Sequence, residues 1–275
     1  AERAGVPQVL VRAALELRLR EARELFDQYL AQRPNDEHAR NELFAVLTML
    51  ADGPGLHAVL AYWKQKGQTD IRAANNYLNE AYRWGNVAEG ADFALEAVRR
   101  WPESQPLVYQ AHRTLLWAGR YREASEMAAR HAALAPEGNP LVTAREACAA
   151  GDREQAERIL RDLDPSQGGD PASRWILFKL LGDTAGETEA LRPLENSGVL
   201  YQLASFLDYP KFDPRPYPAL MAVLEREGVQ RPPPAVPPFR CPPPRVPSVA
   251  VLPFVNMSAD ADNEYFSDGV SEEIL

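Results

Sequence analysis

Cysteine is scarce in this 275-residue chain, which has only Cys148 and Cys241. Cys148 falls in a predicted helix and Cys241 in a proline-rich stretch. Neither has a second cysteine or a histidine at the spacing that zinc sites use. The sequence therefore predicts neither a disulfide nor a zinc site. Two cysteines leave open whether the compartment is reducing or oxidising.

Long apolar runs are also lacking. No stretch approaches the roughly 18 consecutive apolar residues of a membrane-spanning helix, and the amino terminus has no charged region followed by an apolar one. We expect the chain as given to be soluble. Whether it is cytoplasmic or periplasmic would depend on flanking segments that this sequence does not include. Because it begins at Ala1 rather than methionine and ends at Leu275 within a helical pattern, we expect an excerpt of a longer protein.

Positive charge is in deficit, since the formal net charge is -9. No lysine or arginine accompanies the acidic residues after Ser258, which are Asp260, Asp262, Glu264, Asp268, Glu272 and Glu273. This balance opposes binding to a phosphate backbone, which requires a basic surface. Nucleic acid is therefore not expected as a direct partner.

Signatures of catalysis are missing as well. There is no HExxH motif, no phosphate-binding glycine loop and no GxSxG motif. Four histidines are scattered over predicted helices with no nucleophile nearby in sequence: His38, His57, His112 and His131. The sequence predicts a protein that is not an enzyme and that uses no cofactor or metal.

What the sequence does contain is a repeat. The stretch PLVYQAHRTLLWAGRYREASEMAARHAALAP shows two helical patterns, joined at Gly119 and closed by Pro136. A step of 34 residues back from these two positions reaches Gly85 and Pro102, and two further steps from Pro102 reach Pro34. A fixed period of this length predicts stacked helix pairs.

Small residues recur in the same phase, at Ala22, Gly90, Ala124 and Ala156. Only a small side chain lets the second helix of a pair approach the first closely, and a glycine after the first helix suits a left-handed cap. Three positions depart from the pattern. Gln68 replaces a closing proline, Leu56 replaces a small residue, and His112 replaces a small residue of the first helix.

The AGRYREA turn, the apolar helix after it and the closing proline resemble the tetratricopeptide repeat over about residues 5–165. The resemblance implies an all-α, right-handed helical solenoid. Helical patterns from 170 to 230 would form its terminal cap, which gives a repeat domain at 1–230. Five tryptophans are expected to pack between its helices: Trp63, Trp84, Trp101, Trp117 and Trp175.

Beyond the repeats the chain changes character twice. Residues 231–247 are rich in proline and predict an extended linker. Residues 248–275 predict a strand, a loop and a helix. Their motifs VAVLPF, NMS and EYFSDGVSEEI are similar to the opening of the TolB-like domain of large bacterial proteins. Repeats usually follow that domain, so the order here indicates a tandem duplication, a gene fusion or a fragment joined at a boundary.

The register of the tetratricopeptide resemblance implies that the first helix of each pair lines a concave face. The side chains expected on that face are Asn41, Arg72, Asn75, Asn79, Arg83, Tyr109 and Arg113. Asn41, Asn75 and Tyr109 recur at 34-residue intervals. Amide, phenol and guanidinium groups can hydrogen-bond an extended peptide backbone or a terminal carboxylate.

Two functions are compatible with this sequence. The first is a protein–protein interaction scaffold that binds a protein or peptide in the concave groove. The alternative is a regulatory or sensory region of a larger bacterial signalling protein. Its output domain, a winged-helix DNA-binding domain or a nucleotide cyclase, would lie outside this chain, as the TolB-like resemblance implies.

Overall fold

A computed structural model of the chain describes residues 13–14, 16–84, 86–163, 171–196, 200–208, 212–229 and 239–243. The strand, loop and helix predicted at 248–275 lie outside these residues, as does most of the proline-rich linker. The chain divides into two compact units, Ala1–Pro242 and Pro243–Leu275. All the described helices belong to the first unit.

Every regular element in the described part of the chain is a helix, which confirms the all-α class. The elements are α1 Leu19–Gln32, α2 Glu37–Met49, α3 Gly53–Lys66, α4 Ile71–Trp84, α5 Val87–Arg100, α6 Gln105–Trp117, α7 Tyr121–Leu134, α8 Pro140–Ala149, α9 Arg153–Asp162, α10 Pro171–Leu181, α11 Thr184–Asn196, α12 Leu200–Ala204, the 3-10 turn Ser205–Asp208, and α13 Pro218–Arg226. None of these helices is long and apolar enough to cross a membrane.

The helices stack as successive pairs. Each helix from α2 to α7 packs against its neighbours in sequence, and the even-numbered helices α2, α4, α6, α8 and α10 also contact one another in that order. The even-numbered helices therefore form one layer and the odd-numbered helices another. This two-layer stacking confirms the helical repeat architecture.

Close helix approach occurs where the sequence predicts it. Ala22, Ala124 and Ala156 are 0% exposed. A Cβ atom added at Gly90 would lie 3.2 Å from the Ala81 Cβ and 3.4 Å from the Thr114 Cγ2. A larger side chain at these positions would push two helices apart. Leu56, which departs from the pattern, is also fully buried.

The helix ends follow from local side-chain chemistry. Asp36 accepts a hydrogen bond from the Ala39 amide at the start of α2, and Asn86 accepts from the Ala88 and Glu89 amides at the start of α5. These bonds satisfy amide groups that have no partner within the helix. Gly119 ends α6 with φ +72°, which confirms the predicted left-handed cap.

The core runs from Ala13 to Leu224 as one large apolar cluster. Its largest side chains, Trp63 and Trp175, are 0% and 1% exposed, which confirms the prediction for these two tryptophans. Trp101 is only partly buried and packs against the cluster from outside.

Residues 200–208 and 212–229 pack on the first helices of the array. The Arg20 guanidinium donates to the Glu227 carbonyl at 2.7 and 2.9 Å, and Arg226 donates to the Leu17 carbonyl at 2.7 Å. Tyr201 donates its hydroxyl proton to the Glu42 carboxylate at 3.0 Å. We call residues 200–208 and 212–229 the return segment, because they connect the last helix pair to the first.

Aromatic rings hold the other side of the return segment. Trp175 of α10 makes edge contacts with Phe206 and Phe212, at ring separations of 5.0 and 6.0 Å. Phe212 stacks on Tyr217 at 5.7 Å, and the Tyr217 hydroxyl donates to the Thr188 carbonyl of α11. The return segment therefore contacts α10 and α11 as well as the first helices.

Cys148 and Cys241 form a disulfide, so the prediction of no disulfide is wrong. The two residues are 93 positions apart in sequence, and their Cα atoms are 4.5 Å apart. The Cys241 amide donates to the Leu180 carbonyl at 2.8 Å, so the end of α10 positions this part of the linker beside α8. Sequence spacing carries no signal for a contact that depends on three packed helices.

Replacing Trp175 by alanine should destabilise the protein by about 3–5 kcal/mol, because it removes a fully buried ring and leaves a cavity. Urea unfolding followed by circular dichroism measures this change. Hydrogen exchange should also rise in the return segment, whose rings lose their partner. The exposed His57→Ala provides the control, and equal stability of the two variants would contradict the described packing.

Candidate functional site

An open groove of about 510 Å³ lies along the N-terminal halves of α2, α4 and α6. Its lining residues are Glu37, His38, Asn41, Ile71, Arg72, Asn75, Asn76, Ser104 and Pro106. These three helices are consecutive members of one layer, so their N-terminal ends lie along the same edge. Three of the sequence-predicted residues meet in this groove.

The groove is built from rows of equivalent positions. Asn41 and Asn75 occupy one row, separated by 34 residues. His38, Arg72 and Pro106 occupy a second row with the same separation. Residues at i and i+3 share a helix face, so two parallel rows follow directly from the repeat.

Three predicted residues line the groove: Asn41, Arg72 and Asn75. Asn41 and Arg72 are exposed, and the Arg72 guanidinium has no acidic partner among the described residues. The Asn75 side-chain oxygen is buried and accepts no hydrogen bond from the described residues. Because buried polar atoms are nearly always satisfied, this oxygen can accept a hydrogen bond that the described residues do not supply.

One wall of the groove is held by the buried carboxylate of Glu37. It accepts from the Tyr62 hydroxyl at 2.7 Å, the Lys66 ammonium at 2.6 Å and the Trp63 indole at 3.0 Å. Although burial alone lowers the pKa of Lys66, the bonds to Glu37 and Tyr62 raise it overall. The Glu37 charge is thereby neutralised within the wall and does not repel an acidic ligand.

Asn79 and Arg113 bond to each other. The Arg113 guanidinium donates to both the backbone carbonyl and the side-chain oxygen of Asn79, each at 3.0 Å, and Gln110 donates to the same side-chain oxygen. Arg113 is 5% exposed. This pair ties α4 to α6, so a substitution at either residue alters helix packing as well as any surface.

Tyr109 also has a structural partner. Its hydroxyl accepts from the Arg145 guanidinium of α8 at 3.2 Å, and its ring lies 6.0 Å from the His131 ring of α7. Tyr109 therefore joins three helices and does not line the groove, although it continues the row of Asn41 and Asn75. The side chain of Arg83 lies outside the described residues.

Several groove residues were not predicted from the sequence: His38, Ile71, Asn76, Ser104 and Pro106. The signal was available, because His38 and Pro106 lie 34 residues on either side of Arg72. Following every row of the repeat, rather than only the polar row through Asn41, would have identified both.

No protein-family model, curated protein or solved structure matches this chain.

A polar cluster centred on the buried His112 lies between α6, α7 and α8. His112 is 0% exposed, and its Nε2 lies 2.9 Å from the Glu146 carboxylate, which also accepts from the Ser125 hydroxyl at 2.6 Å. The Arg145 guanidinium and the His131 ring lie nearby. Desolvation lowers the pKa of His112 despite the bond to Glu146, and it also lowers the pKa of His131.

The free energy of unfolding should fall as the pH falls below about 6.5. Both histidines have folded-state pKa values below their ordinary 6.5, so the unfolded chain binds more protons in this window and stability rises with pH. Burial alone would raise the pKa of Glu146, but bonds from His112 and Ser125 lower it overall. Protonation of Glu146 under more acidic conditions therefore lowers the free energy of unfolding further. In urea unfolding between about pH 7 and pH 5, the free energy of unfolding should change by up to about 1.4 kcal/mol per pH unit for each histidine.

The double variant His112→Gln/His131→Gln should show a flatter dependence over the same range. His57→Gln removes an exposed histidine and should keep the dependence of the parent protein. A double variant with the parent slope would contradict the assignment to the buried cluster.

Proposed function

We propose that this chain is a protein–protein interaction scaffold that holds an extended segment of a partner protein in the groove along α2, α4 and α6. The observation that carries the proposal is the open groove itself, with Asn41 and Asn75 in one row and, beside them, Arg72, which has no acidic partner among the described residues. The proposed architecture is a right-handed solenoid of the tetratricopeptide type, which the 34-residue register supports.

Asparagine side chains suit a peptide backbone. Each amide offers an acceptor and two donors, which match the amide and carbonyl groups of an extended chain. The buried Asn75 oxygen has no donor within the described residues, so a backbone N–H from a bound segment would satisfy it. Binding would then remove a cost that the free protein carries.

The groove also offers apolar surface. Ile71 is 38% exposed, and Tyr121 is the other large hydrophobic side chain that is exposed in the described part of the chain. Ile71 and Pro106 lie in the same groove as the polar rows. A bound segment with an apolar side chain would cover Ile71 while its backbone contacts the asparagines.

The alternative proposal, a regulatory region of a larger signalling protein, rests on the EYFSDGVSEEI motif and its TolB-like resemblance. A groove that binds a protein segment is compatible with it, because a sensor needs a binding surface. The two proposals differ in what adjoins the chain, and the DNA sequence on either side of its coding region distinguishes them.

Selection from a displayed library of random peptides against the full chain tests the groove. The variants Asn75→Ala and Arg72→Ala should each weaken the selected peptides at least about tenfold, since loss of one good hydrogen bond to a charged or buried group costs about 1.5–3 kcal/mol. Fluorescence anisotropy of a labelled selected peptide measures the dissociation constant.

Arg99→Ala is the matched control, because it removes an exposed arginine from α5 in the other layer. It should leave the dissociation constant unchanged. Circular dichroism should show that all three variants keep the parent helix content. Selected peptides that bind all variants equally would overturn the groove assignment.

A further inference from the structure

Residues 239–242 of the proline-rich stretch pack against the helices. The Cys241 sulfur is bonded to Cys148 of α8, and the Cys241 amide donates to the Leu180 carbonyl of α10. Arg153 of α9 donates to the Leu181 carbonyl at 2.9 Å and reaches the Pro242 carbonyl at 3.4 Å. The segment thus meets three helices within four residues.

Trp175 of α10 belongs to the main core, but the three helices share few buried apolar residues with one another. They share a small apolar cluster, separate from the main one, made of Ala144, Cys148, Ala156, Leu177, Leu180, Leu181 and Cys241. The helices α8 and α9 have 10 residues each, and Ala156 is the one buried residue of α9. Phe239 packs against both this cluster and the main core. Through Phe239 and Cys241, segment 239–242 therefore adds apolar contacts to the small cluster of α8–α10.

We propose that the Cys148–Cys241 bond is a redox-operated clamp: oxidised, it holds 239–242 on α8–α10, and reduced, it releases the segment and uncovers Leu177, Leu180 and Leu181. The reductant is a dithiol. A dithiol thiolate attacks the Cys241 sulfur, and the electron pair of the S–S bond goes to Cys148, which takes up a proton. The second dithiol sulfur then displaces Cys241, so two protein thiols and one reductant disulfide result.

The geometry favours release on the Cys241 side. Cys148 is 1% exposed within a hydrogen-bonded helix, whereas Cys241 is 7% exposed on an irregular segment. Apart from the disulfide and the packing of Phe239, the described polar contacts of that segment with the helices are one backbone hydrogen bond and one long contact from Arg153, and Pro242 has no N–H to donate. Local opening of so few contacts exposes the bond to a dithiol without unfolding α8.

Hydrogen exchange of the full chain, with and without dithiothreitol, tests the clamp. Reduction should raise exchange at least tenfold at amides 239–241 and in 177–182, and leave α1–α7 unchanged. Replacing the reductant with a small oxidised disulfide should restore the original protection. Unchanged exchange in both regions, or loss of structure throughout the repeats, would overturn the proposal, since the bond would then be redundant or simply required for folding.

Thiol counting and three variants complete the test. The unreduced protein unfolded in urea should show no free thiol, and two free thiols there would overturn the proposal.

Cys148→Ser and Cys241→Ser should each show the exchange pattern of the reduced protein and no response to the dithiol. Phe239→Ala keeps both cysteines and is the matched control, so it should still respond to the dithiol. A serine variant that keeps full protection at 239–241 would show that packing alone holds the segment, which would also overturn the clamp.

Discussion

The close approach of paired helices at small residues is the constraint on which the rest of this structure depends. Gly90 shows it most directly, because even a methyl group there would meet Ala81 and Thr114 at 3.2–3.4 Å. Repeating this contact fixes how each pair lies on the next. The even-numbered helices then align, and equivalent residues 34 positions apart form the rows that line the groove.

Sequence reasoning succeeded where information is local or periodic. The helix pairs, the cap at Gly119, and the burial of Ala22 and Ala124 all follow from patterns within one or two turns. The placement of Asn41 and Asn75 on one face follows from the same period. Whether these residues bind a partner is a separate question, because a shared face does not establish a ligand.

Contacts between distant parts of the chain could not be predicted in this way. The Arg20–Glu227 bonds join residues more than two hundred positions apart, and the disulfide joins α8 to a stretch that reads as a spacer. Repeat register also cannot distinguish a free side chain from a bonded one. Asn79 and Arg113 occupy inward positions like those of the groove residues, yet each is the other's partner.

The return segment limits how the number of repeat units can change. An open array of helix pairs can gain or lose a unit at either end with little effect on the others, because each unit contacts only its neighbours. Here the last elements bond to the first through Glu227 and Tyr201, so the number of units is fixed by the distance that this connection must cover. Insertion or deletion of a single repeat would therefore break these contacts unless the return segment changed as well.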